Sequence, residues 1–405
     1  MIVVSQISEV FYPVLPGGLA QLFRYGPGLR ERGIQLRVHT PLKPEHGDER
    51  ELVANGVEIR RHILTDEADH HRERTQLVRL ALEAMREDPS DVPHCLQPNG
   101  CSWPSTALLW KARTRGIANT FYFTMFPDGL PDRLDKRLRY KASLRAQLGP
   151  YSKLIFSSHR MKAAFEEIIG SRRGKMVVLP NGVDLGRFSP AEDRGTFRRK
   201  LGLPENVPLV LYCGSVIPRK GIDVLMDAWE RVSAEVRDAR LVILGSVGMR
   251  PTFRDPAMRD ELTQFTDKVE RRLGAFQERN SVILPGEVDA VEDYCRAADV
   301  FVFPSRREGL PNAVLEAMAS GLPCVVAPFA GIPDEGEEFG SDGKHYVRSS
   351  HDPEVMAADM LDLVRAPEKA VTIGRAARQW MEQNQQMENT LDLLAEYYRS
   401  AVGKA

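Results

Sequence analysis

At 405 residues the chain exceeds what one hydrophobic core ordinarily serves, and its length predicts two or three domains. Apolar residues make up 42% and charged residues 27%, which excludes a disordered chain, and a formal net charge of −1 gives no global signal for nucleic acid or an anionic membrane. The longest apolar runs, VFVFP and PCVVAP, are of strand length and far below the ~20 residues of a membrane span.

The opening MIVVSQISEVFYP has neither a basic start nor a long apolar stretch, so it reads as a first strand (IVVSQI, 2–7) and not as a signal peptide. Gly17-Gly18 follow, between that strand and a helix. They form either a glycine loop that cradles phosphate or a plain strand-to-helix turn. Further strands are predicted at LRVHT (36–40), EIRRHI (58–63), TFYFTM (120–125), KLIFSS (153–158) and MVVLP (176–180). Between them His70-His71 sit in a polar loop and read as solvated rather than metal-bound. His94, at a strand edge, reads first as structural, with a place in the cleft as the alternative. The segment PDRLDKRLRYKASLRAQLG (131–149) is a basic helical pattern, with six Arg or Lys against one Asp between 133 and 145. Leu134, Leu138 and Leu148, with Tyr140 and Leu144, form its apolar stripe.

The turn Pro180-Asn181-Gly182 and the polar interval 186–206 interrupt the series, and the domain boundary is placed there. Residues 1–185 form one domain and 186–385 a second. The C-terminal segment 386–405 is a helix that either closes the second domain or packs back across the cleft. The second series of strands runs LVLYCGS (209–215), RLVILGS (240–246), SVILPG (281–286), VFVFPS (300–305) and PCVVAP (323–328), with helical periodicity at 221–236 and 311–321 between them. Such alternation predicts crossover connections, parallel sheets and an α/β fold. The five cysteines, at 95, 101, 213, 295 and 324, contain no CxxC pair. Buried thiols in a reducing compartment, and hence a cytoplasmic protein, are expected.

The run SRREGLPNAVLEAMASGLPCVVAP carries most of the chemistry. Glu308 falls in the loop after strand 300–305, at the sheet edge where ligands bind in open α/β folds. Gly309 lets the backbone approach a ligand, Leu310 follows, Pro311 suits the first helical position before Asn312, and Glu316 lies about one and a half turns into the helix. Two acceptor-only carboxylates beside a helix N-terminus suit a hydroxyl-rich ligand that carries phosphate; the plain alternative is two surface glutamates. In VLYCGSVIPRKGID a Gly214-Ser215 turn leads to Arg219-Lys220, which open a helix. They are either a diphosphate-binding pair or a solvated one.

Gly17-Gly18, Arg219-Lys220 and the EGLPNAVLE run in combination resemble glycosyltransferase family 4, the retaining nucleotide-sugar enzymes with two Rossmann-like domains facing each other across a cleft, the GT-B fold. The resemblance is most specific from 208 to 335 and loosest from 35 to 150. It implies that Glu316 binds the nucleotide ribose, and that Glu308 and the backbone amides after it hold the donor sugar. It also implies Arg219 and Lys220 on the diphosphate and Gly17-Gly18 against the phosphate from the other domain. A UDP-, GDP- or ADP-sugar is then a co-substrate, with no cofactor and no nucleic acid partner. The acceptor is a glycan, a lipid-linked sugar or a small molecule, and the basic helix 131–149 is either a solvated face or a weak peripheral contact with the inner face of a membrane.

The sequence departs from the family at one place. A histidine is common after the strand corresponding to TFYFTM, whereas FTMFPDG has Met125 and Phe126 there, and Asp128 is the nearest ionisable residue. The mechanism usual for the family needs no such base, because the departing phosphate takes the acceptor's proton. Arg219 and Lys220 would then stabilise the leaving-group charge. No D-x-D pair occurs anywhere, so no metal site is expected. Two other readings stand beside this one: a nucleotide-sugar-binding protein of the same fold without turnover, and an epimerase or phosphorylase of that fold.

Overall fold

A computed structural model describes residues 1–12, 17–65, 70–89, 91–100, 102–127, 129–247, 256–334 and 336–403, with the backbone alone at 17, 18, 45, 70 and 256–259. The chain divides into two compact units, one of Met1–Pro180 and Glu388–Ala405, the other Asn181–Met387.

The first unit is built on an eight-stranded sheet. Its strands are β1 (Ile2–Ile7), β2 (Ile34–Pro41), β3 (Glu51–Ala54), β4 (Val57–His62), β5 (His94–Pro98), β6 (Ala118–Phe123), β7 (Lys153–Phe156) and β8 (Met176–Val178). They lie in the order β3-β4-β2-β1-β5-β6-β7-β8, and among these pairs only the edge pair β3–β4 is antiparallel. A turn with Asn55 and Gly56 both at positive φ joins the edge pair, as a two-residue hairpin requires. The helices are α1 (Gly17–Arg24), α2 (Gly26–Glu31), α3 (His70–Ala84), α4 (Trp103–Arg113), α5 (Leu134–Gln147) and α6 (His159–Ile169). Leu77, Val78, Leu109 and Phe165 from α3, α4 and α6 cover Ile7, Leu96, Phe123, Leu154 and Phe156 on one sheet face. α5 buries none of its own residues, and Leu134 and Leu138 are 68% and 59% exposed.

The second unit carries a six-stranded, wholly parallel sheet of β9 (Leu209–Cys213), β10 (Arg240–Leu244), β11 (Val282–Gly286), β12 (Val300–Phe303), β13 (Cys324–Val326) and β14 (Val347–Arg348), in the order β11-β10-β9-β12-β13-β14. Strand residues are apolar on both faces because helices cover both. Val210, Tyr212, Val300 and Val302 meet α8 (Ile222–Glu235), α9 (Pro256–Glu278) and α12 (Pro353–Arg365). Leu209, Leu211, Phe301 and Phe303 alternate onto the other face, against α10 (Val291–Ala297), α11 (Asn312–Ala319) and α13 (Pro367–Asn384); α7 (Arg194–Leu201) packs beside α10.

The last helix, α14 (Met387–Val402), belongs from Glu388 onward to the first unit. Arg32 donates to both Glu388 and Asp392 at 2.7 Å, Tyr397 donates to the Val178 carbonyl at 2.8 Å, and Arg399 to the Arg32 carbonyl at 2.7 Å. α2 approaches α14 so closely that a Cβ on Gly28 would stand 2.4 Å from a Leu391 methyl, and any larger residue there would have to displace that side chain. Among the described residues no helix is long and apolar enough to cross a membrane.

Candidate active site

At the carboxyl end of β9 the chain turns through Gly214 and Ser215 and reaches a short 3-10 turn, Pro218–Lys220. Arg219 and Lys220 therefore close this turn instead of opening α8. Gly221, at φ 70°, separates them from the helix. A Cβ on Gly221 would lie 2.0 Å from the Pro304 carbonyl oxygen, so glycine is required where the turn passes under the end of β12. The same proximity brings the loop after β12 against the turn: the Arg306 N–H donates to the Arg219 carbonyl at 3.0 Å, and its guanidinium binds Asp223 through two nitrogens at 2.9 and 2.7 Å. Burial pushes the Asp223 carboxyl up, but the hydrogen bonds and charge of Arg306 outweigh it and hold the group below the usual carboxylate range.

Three donors meet on one oxygen in this arrangement. Glu308 Oε1 accepts from Arg219 Nη1 and Lys220 Nζ, both at 2.8 Å, and from Ser305 Oγ at 2.6 Å. Arg219 also donates to the Arg307 carbonyl at 2.7 Å, and the Lys220 ammonium lies 5.4 Å from the centre of the Phe303 ring. Glu308 is only 7% exposed. The resemblance implied the two cations on a diphosphate and the carboxylate on the sugar; the structure brings the cations and the carboxylate onto one another.

α11 starts beside this cluster. Pro311 is its N-cap, with extended ψ of 108°, and not its first helical residue; the Pro311 carbonyl accepts the N–H groups of Val314 and Leu315. The ring fixes φ near the observed −76° in either position, which is why the sequence alone separates the two poorly. Glu316 is buried on α11, 6% exposed. Gly309, Leu310 and Pro311 are buried in the loop and Asn312 is half-buried. Asn181 ties this loop down, its amide donating to the Leu310 carbonyl at 2.8 Å and to Asn312 Oδ1 at 2.7 Å. Sequence reasoning treated Asn181 as a turn residue and assigned Ser305 no part. The only available signal was Ser305 three positions before Glu308, close enough to bond it in a loop. Tyr212, its hydroxyl donating to the Ser215 carbonyl at 3.0 Å, holds the turn after β9; burial, Cys213 and Glu308 together push its phenol well above the usual range.

The corresponding strand ends of the first unit have a different chemistry. Gln97 Nε2 donates to Gln6 Oε1 at 2.9 Å, and Gln97 Oε1 accepts from Thr120 Oγ1 and the Tyr398 hydroxyl, each at 2.9 Å. Gln6 and Gln97 border a cavity of about 80 Å³ with Leu19, Leu22, Tyr122 and Thr124. Gly17-Gly18 begin α1. Met125 and Phe126 are half-buried after β6, and Asp128 lies outside the described residues. His94 is the first residue of β5, at the amino edge of the sheet, with Nε2 3.6 Å from Asp88. Burial lowers its pKa against the opposing charge of Asp88, so the histidine is a packing residue on the edge opposite the strand ends just described.

A family model described as glycosyltransferase family 4 matches residues 17–187, and one described as glycosyl transferases group 1 matches residues 207–366. The chain belongs to glycosyltransferase family 4. Among curated relatives, this family 4 chain is 35% identical over 184 residues to a D-inositol 3-phosphate glycosyltransferase of Xylanimonas cellulosilytica, covering 44% of the chain and 41% of the relative. It is 30% identical over 213 residues to a GDP-mannose-dependent monoacylated alpha-(1-6)-phosphatidylinositol monomannoside mannosyltransferase of Corynebacterium glutamicum, covering 50% of the chain and 51% of the relative. These matches thus span about half the length of the relatives. Solved structures match end to end. A sucrose-phosphate synthase from Thermosynechococcus elongatus superposes with TM-score 0.73 at 20% identity, covering 100% of both chains. Anabaena HepE in complex with UDP and glucose gives TM-score 0.73 at 16% identity, covering 99% of this chain and 100% of that one. The two-unit α/β architecture is the GT-B fold.

Proposed function

We propose that this chain transfers a sugar from a nucleotide diphosphate sugar to an acceptor, with retention of anomeric configuration and without a metal ion. The observation that carries the reading is the meeting of Arg219, Lys220 and Glu308 beside the start of α11, on which Glu316 is buried. Arg219 and Lys220 would neutralise the diphosphate as it departs, Glu316 would take the ribose hydroxyls, and Glu308 with the backbone N–H groups of Gly309, Leu310 and Asn312 would hold the sugar. Gly214, at the end of β9, leaves room for the nucleotide, and Gly17-Gly18 offer main-chain N–H groups to a phosphate. The departing phosphate itself serves as base for the acceptor hydroxyl, which suits a chain with no histidine in the loop directly after β6. Asp128 is the remaining candidate for a protein group in that role.

The donor is a UDP-, GDP- or ADP-sugar; one fold neighbour binds UDP and glucose, and one relative is named for GDP-mannose. The acceptor is a glycan, a lipid-linked sugar or a small molecule. α5, with exposed Leu134 and Leu138 among its basic residues, is the proposed place for a weak peripheral membrane contact in the cytoplasm.

A panel of UDP-, GDP- and ADP-sugars, read by thermal shift and by nucleotide release, tests the reading, with Glu316→Ala as control. One donor is expected to raise the melting temperature and to be slowly hydrolysed, with binding weakened roughly tenfold or more in E316A, since a buried carboxylate bonded to hydroxyls contributes about 1.5–3 kcal/mol. Binding without release, with any acceptor, would make the chain a nucleotide-sugar-binding protein. No response to any nucleotide would refute the site.

A further inference from the structure

We infer that Glu308 is a resident counter-ion occupying the diphosphate's place on Arg219 and Lys220, and that Ser305 positions it there. The inference rests on the donor site proposed above. Both cations reach the same carboxylate oxygen at 2.8 Å, and Ser305 Oγ donates to that oxygen at 2.6 Å. Ser305 is fully buried, and its own carbonyl lies 3.2 Å from the ring Nε2 of His351, so the seat is held from two sides. Two cations and one carboxylate leave one net positive charge.

An arriving diphosphate offers more negative charge and more acceptor oxygens than one carboxylate, so it takes the two cations over. Glu308 then loses its ion pairs and becomes an acceptor for donor-sugar hydroxyls. Recognition of the sugar is thereby conditional on the diphosphate. After transfer, the carboxylate competes for the cations again and speeds departure of the nucleotide diphosphate. The exchange breaks and makes only ion pairs and hydrogen bonds.

Isothermal titration of UDP, GDP and ADP into the full chain tests this, using whichever binds best. Glu308→Gln keeps an acceptor oxygen for all three donors and removes the competing charge. It is expected to bind the nucleotide diphosphate roughly tenfold or more tightly, with slower dissociation and a steeper salt dependence, while turnover of the sugar nucleotide falls. Ser305→Ala, which leaves both charges in place, is expected to tighten binding in the same direction by about two- to threefold, and it keeps the test available if E308Q does not fold. Unchanged or weaker nucleotide binding in E308Q, or weaker binding in S305A, overturns the inference. Arg219→Ala and Lys220→Ala separate it from the site proposal. If they lose the nucleotide while E308Q gains nothing, only the counter-ion role fails. If they bind it as the unaltered chain does, the diphosphate seat itself is wrong.

Discussion

The carboxyl edges of the two sheets solve different problems with different chemistry. In the second unit the edge is ionic: Arg219 and Lys220 on Glu308, and Arg306 on Asp223, contributed by one turn, one loop and the first turn of α8. In the first unit the strand residues themselves are joined by neutral groups, an amide pair of Gln6 and Gln97 with the hydroxyls of Thr120 and Tyr398 from β6 and α14. The ion pair of Arg74 with Glu9, at 2.6 Å, lies two residues past β1. An ion cluster exchanges one partner for another at modest cost, because charges act over several ångströms and water screens the intermediate geometry. A buried amide ladder has no such tolerance, since each donor left without its acceptor pays the full desolvation cost. One edge is built for exchange and the other for fixed shape.

The largest expected effect tests the exchanging edge. Arg219→Ala or Lys220→Ala should lower turnover by about 10²-fold or more, the usual loss when a preorganised stabiliser of leaving-group charge is removed. Both side chains are partly solvent-exposed, so the melting temperature should change little by comparison. Steady-state nucleotide release and a melting curve on the same preparation decide it. Near-normal turnover in either variant would remove the ionic edge from the chemistry and end the contrast.

The same contrast explains what could be read from the letters. Arg219-Lys220 and Glu308 to Glu316 are each contiguous, and the strands before them are runs of large apolar residues, so periodicity and motif located both. That Ser305 and both cations meet on one oxygen was not readable, because it depends on Gly221 passing under Pro304, a contact between segments more than eighty residues apart. β5 was not among the predicted strands, although His94 was placed at a strand edge: HCLQP is short, lies between prolines and has a glutamine inside it, all poor signs of a buried strand. The glutamine is tolerated only because Gln6, Thr120 and Tyr398, from three distant parts of the chain, satisfy it. Long-range satisfaction of polar groups leaves no local trace, whereas charge motifs at strand ends do.

Gln97→Leu tests the fixed edge. It strips the acceptor from the Thr120 and Tyr398 hydroxyls and the donor from Gln6, inside a sheet where Gln97 is 2% exposed. The expected loss is about 2–3 kcal/mol, or on the order of 5–10 °C in the melting temperature of the first unit. Nucleotide affinity should be unaltered, because the residues proposed to bind it all lie in the second unit apart from Gly17-Gly18. Calorimetry and nucleotide titration on Q97L test both halves. A stable Q97L would show that the ladder is ornamental, and a Q97L that loses nucleotide would show that the two edges are not independent.

The smallest effect sharpens the contrast with pH. His39 and His62, on β2 and β4, stack with ring centres 5.1 Å apart, and His39 Nδ1 lies 2.8 Å from His62 Nε2. At this distance one nitrogen donates and the other accepts, so the two rings are not both protonated. Burial, with His62, Arg37 and Arg60 nearby, lowers the His39 pKa well below its ordinary 6.5; burial and Arg60 lower that of His62, with Glu51 opposing. Below pH 6.5 the unfolded chain therefore binds protons that the folded one refuses, so stability falls as the pH drops through this range and is fully present above it. The slope is at most about 1.4 kcal/mol per pH unit for each proton refused. Between pH 7.5 and 5.5 the first unit is expected to lose a few degrees of melting temperature, and His39→Gln, which cannot take up a proton, should flatten that loss. An equal slope in H39Q would place the sensitivity elsewhere. A flat profile in the unaltered chain would mean that the histidine pair, although buried, is protonated as readily in the folded state as in the unfolded one.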